Sequence, residues 1–223
     1  LSGFNHYLIE ELEFWDGFNA NKMPTDHFSF HLRQLTEKKL LVKTGGGAYQ
    51  LSPIGKEFAN RLDTETVKIE RQAKISVGVI GIQTKGGEKQ YLIQQRLKQP
   101  YYGYHGIVTG KIRWGETILE AAAREFKEEA NLTAGQLVFG GIEHKMDYNR
   151  DGQLLDDKYF CLIRALNPKG NLTESFEGGR NVWRTEKETL ALENLFGDVP
   201  AIFYHIKRKP FFFFEEKFTV EGF

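Results

Sequence analysis

Between Gly110 and Leu132 the chain reads GKIRWGETILEAAAREFKEEANL, and the spacing of its glycines, acids and apolar residues leaves few folds open. Gly115 breaks what precedes it, and Thr117 with Glu120 three residues on has the pattern of a capping box. A helix is therefore expected over 117–130, with Leu119, Ala122, Ala123, Phe126 and Ala130 as its apolar stripe. Alanines at 121–123 keep that face thin, so the helix can lie close to a sheet. Asn131 stands where the helix should end; the backbone turns left-handed there, and asparagine tolerates this best after glycine. Glu125, Glu128 and Glu129 fall at i, i+3 and i+4, on one side of the helix. Three carboxylates so close repel one another unless a cation neutralises them, and a hard oxygen set suits Mg²⁺ or Mn²⁺. Taken alone, EFKEE reads more readily as a solvated helix face; the positions around it reverse that preference.

Those positions are Gly110, Glu116, Arg124-Glu125-Phe126, Glu128-Glu129 and Leu132. Their spacing resembles the Nudix box, Gly-x5-Glu-x7-Arg-Glu-apolar-x-Glu-Glu-x-Gly-apolar, with Asn131 the one departure. The resemblance implies a hydrolase that cleaves the pyrophosphate linkage of a nucleoside diphosphate joined to another group X, with a divalent metal. It further implies that Glu125, Glu128, Glu129 and the carbonyl of Gly110 hold the metal, Mg²⁺ or Mn²⁺. Arg124 would orient the carboxylates with Glu116 as its ion-pair partner. Nudix chemistry often takes a base from a later loop, for which Glu177 in ESFEGGRN is the candidate and Glu174 the alternative; a solvated loop carboxylate fits that position equally. Arg96, Lys111 and Arg113 are candidate phosphate ligands, because cationic donors suit a diphosphate. Arg96 reads equally well as a surface charge. Tyr102, Tyr104 and Trp114 flank the box loop and could stack on a base, or belong to the core.

Upstream, Phe4, Leu8, Leu12 and Trp15 form one helical stripe, and Phe28, Leu32 and Leu35 another ending near Lys39. Residues 40–43 and 48–51 are short strand candidates around Gly45-Gly46-Gly47, and Ser52-Pro53 reads as the start of a helix to about Leu62. This order resembles a winged helix-turn-helix. Its second helix would present His27, His31, Gln34 and Lys38, and such a face could enter a major groove. Residues 1–72 nevertheless carry nine Lys/Arg against ten Asp/Glu, a net of −1, and nonspecific DNA affinity comes mainly from basic charge.

Beyond a polar connector the pattern changes to strands at 75–82, 91–96, 137–148, 154–166 and 181–184, with a hairpin closed by Asp151-Gly152. A helix interrupted by Gly197 and Pro200 is expected over 190–204, and a last strand over 211–220. The expected fold is α+β: a winged-helix domain at 1–65, a connector at 66–72, and a Nudix α/β/α sandwich with a mixed sheet at 73–223.

Charges balance at 30 and 30, which excludes a large field of either sign. The single cysteine, Cys161, has no partner for an internal disulfide and lies in an apolar strand pattern, so a buried inert thiol in a cytoplasmic protein is expected. No apolar stretch reaches the roughly 20 residues of a membrane span. The expected partner is a nucleotide-type small molecule. The competing class is a transcription regulator whose second domain senses a nucleotide and whose first domain binds DNA. A homodimer is the default assembly for both.

Overall fold

The structure is a computed structural model that describes residues 25–44, 48–63, 68–69 and 71–220. The chain divides into two compact units between Gln72 and Ala73. The stripe at Phe4, Leu8, Leu12 and Trp15, the turn at Gly45-Gly46-Gly47 and the side chain of His27 lie outside the described residues.

In the first unit, helix α1 (Thr25–Glu37) leads into the antiparallel pair β1 (Leu41–Lys43) and β2 (Tyr49–Leu51), followed by α2 (Pro53–Ala59). Ser52 caps α2: its hydroxyl accepts from the Gly55 amide, while Pro53, which needs no donor at that position, opens the helix. α2 ends at Ala59, short of the expected Leu62, because residues from there on turn into a two-residue strand pair, β3 (Leu62–Asp63) with β4 (Lys68–Ile69). The proposed DNA-facing set does not share one open face. His31 is buried at 7% exposure, Gln34 is half-buried and donates to Glu37, and Lys38 is exposed. The spacing that puts His31 with Gln34 and Lys38 also puts it one turn from Leu35, and packing takes it inward.

The second unit is built on one nine-stranded sheet. Its strands are β5 (Lys74–Lys85), β6 (Glu88–Arg96), β7 (His105–Gly106), β8 (Val108–Lys111), β9 (Gln136–Tyr148), β10 (Leu154–Leu166), β11 (Ser175–Phe176), β12 (Gly179–Thr185) and β13 (Phe212–Thr219). Their order is β11-β12-β6-β5-β10-β9-β13, with β8 on β5 and β7 on β6. The sheet is mixed: β10 runs parallel to β5 and β13 parallel to β9, and the remaining pairs are antiparallel. Helix α3 (Ile118–Ala130) covers one face and α5 (Val199–Ile206) the other, with α4 (Glu186–Leu190) between them in sequence. β5 is therefore buried on both sides from Ser76 to Gly81, as a central strand must be.

One core joins Val77, Val79, Leu92, Val108 and Ile163 to Ala121, Ala122 and Phe126 of α3; the other joins Ile80, Ile93 and Leu162 to Val199, Ile202 and Phe203 of α5. The helix near 190–204 starts late, at Val199. Thr185 and Glu188 instead cap α4 just before it, with a reciprocal pair of bonds like those at Thr117. No described helix is long and apolar enough to cross a membrane.

Candidate active site

The local signals around α3 act as their residue types require. Thr117 accepts from the Glu120 amide while Glu120 accepts from the Thr117 amide, which satisfies two donors of the first turn. Asn131 closes the helix in the left-handed region at φ 57°; its side chain accepts from Lys127 Nζ at 2.7 Å and donates to the Asn171 carbonyl at 3.0 Å. The apolar stripe is rotated from expectation. Ala121, Ala122, Phe126 and Ala130 are buried, whereas Leu119 and Ala123 are exposed, because the helix begins at Ile118 and this residue packs on the core.

That rotation sets Glu125 and Glu129 at the margin of the sheet and Glu128 toward solvent. Glu125 lies against the backbone of Gly110 on β8, so closely that a Cβ there would fall inside its carboxyl group. Arg124 joins the pieces. Its Nε and Nη2 grip both oxygens of Glu116 at 2.5 and 2.8 Å, Nη1 reaches Glu125 at 2.5 Å and Glu128 at 3.3 Å, and Nη2 also donates to the Lys111 carbonyl at 2.9 Å. Hydrogen bonds from Arg124, with one from the Arg113 amide, hold Glu116 down at about 2. Arg113 puts its guanidinium on Glu128 at 3.2 Å. Glu129 turns the other way and accepts from Gln94 at 3.0 Å. Burial raises its pKa, the charge of Glu125 adds to this, and the Gln94 bond opposes it.

Asn181 of β12 fixes this end of α3 by donating to the carbonyls of Glu129 and Thr173 at 2.7 and 2.9 Å. Nothing in the sequence marks Asn181 beyond a strand pattern. The role emerges because Asn181 pairs with Gln94 across β12 and β6, and Gln94 donates to both Asn181 and Glu129.

Among the described residues no three His, Cys, Asp or Glu side chains converge as they would around a metal ion. Arg124 bridges Glu125 and Glu128, Arg113 also donates to Glu128, and the Gln94 amide donates to Glu129. The donor set still fits a hard divalent cation. Its carboxylates line one helix edge, Glu129 is desolvated with like charge beside it, and the Gly110 backbone is bare where a side chain would block approach.

The other expected site residues divide. Lys111 ends β8, where its carbonyl accepts from Arg124, and Arg113 on the loop that follows lies against Glu128. Arg96 does not present a free fork, since it donates to the carbonyls of Lys98, Gln99 and Pro100 and braces its own loop. Trp114 is 89% exposed and Tyr102 is also exposed, so neither belongs to the core. Glu177 sits in the exposed turn between β11 and β12, where Gly178 bonds the amide of Leu97. The Glu174 carbonyl accepts from the backbone amide of Asn181, the residue whose side chain donates to the Glu129 carbonyl. Burial pushes the Cys161 thiol up, in keeping with an inert group.

A cleft of about 100 Å³ begins at Gln94 and runs across the α5 face of the sheet. Tyr101, Lys145, Asp147, Phe196 and Asp198 line it, none of them marked by sequence reasoning. Lys145 bonds Asp198 at 3.2 Å and lies over the rings of Phe196 and Phe218. Burial works against its charge, but Asp198, Asp147 and Glu143 outweigh this and raise its pKa.

A model of the NUDIX domain matches residues 73–200, more than half of the chain. Among solved structures, a mutator MutT protein from Bacillus halodurans superposes at a TM-score of 0.55 with 22% identity, over 66% of this chain and 90% of that one. The NUDIX domain of Shewanella oneidensis NrtR, solved with ADP ribose, gives 0.54 with 14% identity over 68% and 96%. A MutT NUDIX hydrolase from Burkholderia pseudomallei gives 0.51 with 17% identity over 60% and 98%. At these identities the superpositions speak for the fold, and it is the family match, laid over a box whose side chains interlock through Arg124, that identifies the molecule: this chain belongs to the NUDIX domain family, and its second unit is a Nudix-type hydrolase.

Proposed function

We propose that the second unit hydrolyses the pyrophosphate link of a nucleoside diphosphate joined to a group X, at the edge formed by Glu125, Glu128 and Glu129. The observation that carries this reading is the Arg124 hub, which ties Glu116, Glu125, Glu128 and the Lys111 carbonyl into one unit against Gly110. Glu125, Glu128, Glu129 and the Gly110 carbonyl would hold a divalent metal, Mg²⁺ or Mn²⁺. When bound, such an ion polarises a phosphoryl oxygen and makes water more acidic.

The chain's own residues supply the rest. Lys111 and Arg113 offer cationic donors to the diphosphate, and Arg113 is already placed over Glu128. Trp114, solvent-exposed on the same loop, offers a face on which a base or an aromatic X can stack. Water attacks one phosphorus, forming a new P–O bond as the anhydride P–O bond breaks. The water proton passes to a carboxylate, with Glu177 and Glu174 as the two loop candidates. Products are a nucleotide and a phosphorylated X, or pyrophosphate from a nucleoside triphosphate.

The regulator reading is the second one, since His31 of its DNA-facing set is buried and acids outnumber bases in the first unit. Turnover across nucleoside triphosphates, nucleotide sugars, ADP-ribose and dinucleoside polyphosphates, measured with Mg²⁺ for wild type and Glu128→Gln, tests the proposal. Turnover of one class, lost in the variant while its melting curve is unchanged, is the expected result. A variant with undiminished turnover would remove the carboxylate edge from the reaction.

A further inference from the structure

Strand β13 lies beyond residues 73–200, which the family model matches, and it is the last strand in the order of the sheet. β9 pairs with one side of it, and among the described residues no strand pairs with the other. Val220 sends its N–H to the Tyr148 carbonyl of β9. Backbone groups alternate in direction along a strand, so those of Phe214, Glu216 and Phe218 also face β9, and those of Phe213, Glu215, Lys217 and Thr219 face outward. The opposite end of the sheet closes with β11, which is two residues long, whereas β13 presents eight. An open row of this length is a template for another strand.

The residues of β13 say which strand. It reads FFFEEKFT, with aromatic residues on both sides of Glu215-Glu216-Lys217, and Phe213 leaves 54% of its surface exposed at the rim. Consider a second copy of β13 running antiparallel about a two-fold axis at Glu216. It sets Glu215 opposite Lys217 twice, because a two-fold contact repeats every pair. Phe213 then meets Thr219, and Phe214 meets Phe218. The 215–217 and 213–219 pairs join outward-facing residues, so each exchanges both of its backbone hydrogen bonds. Moving the axis to Glu215 sets Glu215 on its own copy, and moving it to Lys217 does the same for Lys217; like charges directly opposite are destabilising. The charges thus select one register. Both side chains are exposed on the same face of the sheet, where a bond of 2.6 Å to His144 Nδ1 holds Glu215 Oε1. Glu216 meets its own copy on the other face, and burial and then the charge of Asp198 raise its pKa, which eases that approach.

We infer that β13 is the contact between two copies of this chain, joined edge to edge into one continuous sheet by antiparallel β13 strands, with Glu215 of each copy opposite Lys217 of the other. Main-chain bonds supply the attraction and the two charge pairs supply the register, as in other cases of strand addition. The inference stands apart from the reaction, since no residue of the box takes part in it.

The test is analytical ultracentrifugation of the full chain, which should form a dimer whose population rises with concentration. Each opposite-charge pair contributes a factor of about 1.4–5, and a like-charge pair opposes association by a similar factor. Lys217→Glu replaces two attractive pairs by two repulsive ones and should weaken the dimer at least about fourfold; Glu215→Lys should do the same. In an equimolar mixture of the two variants every charge meets its opposite, so the mixed dimer should be at least about fourfold tighter than that of either variant alone. Residues that act only within one chain give no such recovery. Should a variant fail to fold, the wild-type chain decides. Hydrogen exchange followed by NMR should slow with rising concentration at the amides of Phe213, Glu215, Lys217 and Thr219, and stay unchanged at those of Phe214 and Glu216. A chain that is monomeric at every concentration, a mixture of folded variants no tighter than its components, or a dimer whose outward β13 amides exchange at the monomer's rate would each overturn the assignment.

Discussion

Glu143 is the least expected buried group in the second unit, and removing its charge has a calculable effect. It sits on β9 at 1% exposure, with both carboxyl oxygens shut off from solvent and Asp198 as its acidic neighbour. Burial, and then the negative charge of Asp198, push its pKa up to about 9, against a smaller opposing pull from Lys145. An unfolded glutamate ionises near about 4.3. Between those values the folded chain retains a proton that the unfolded chain has released, so stability falls as pH rises. The contribution is fully present below about pH 4 and is lost by the time pH has risen through about 9. The slope is about 1.4 kcal/mol per pH unit, so at about pH 7.3 the loss is at most about 4 kcal/mol, a large part of an ordinary domain's stability.

Glutamine has the shape of the neutral acid and no proton to gain. Glu143→Gln should therefore match wild type within about 0.5 kcal/mol near pH 4 and exceed it by about 2–4 kcal/mol near pH 7.3. Urea unfolding of the second unit at the two pH values measures both differences. A variant that differs from wild type by the same amount at both would refute the reasoning, since only a proton held by the folded state makes the gap depend on pH.

Two further substitutions probe the box directly. Gly110→Ala would drive Glu125 off the β8 backbone and away from Arg124; turnover should fall by at least about 100-fold for a loss of about 1–3 kcal/mol in stability, and activity within tenfold of wild type would show that Glu125 does not need this position. Asn131→Gly relieves a left-handed residue but deletes the bonds to Lys127 and Asn171, so chemical unfolding should show a net destabilisation of about 0–1 kcal/mol; a gain above 1 kcal/mol would mean those side-chain bonds contribute nothing.

What the sequence discloses depends on how far apart the interacting residues lie in the chain. The Thr117 capping box and the left-handed Asn131 follow from spacings of a few residues, and these are readable. The stripe of α3 was misplaced by about one position, because which alanines face inward is decided by the sheet against which Phe126 packs. Arg96 illustrates a different limit. Its charge is visible in the sequence, but its use in binding three carbonyls of the 98–100 loop is not. On β9 Glu143, Lys145 and Asp147 alternate with less polar residues, and all three are buried. Their partners Tyr101 and Asp198 stand 46 and 53 residues away, beyond the range of any periodicity.

The same division runs through the proposed chemistry. Nearly everything required to hold a cation and polarise a phosphate comes from Gly110 to Glu129, one loop and one helix, so the reaction class is written in a contiguous stretch. The cleft on the α5 face takes Gln94 from β6, Tyr101 from a loop, Asp147 from β9 and Phe196 from the segment before α5. Each of those positions can change without altering the spacing of the box or the caps of α3. A chain built this way can keep the spacing of its box while the lining of its cleft changes.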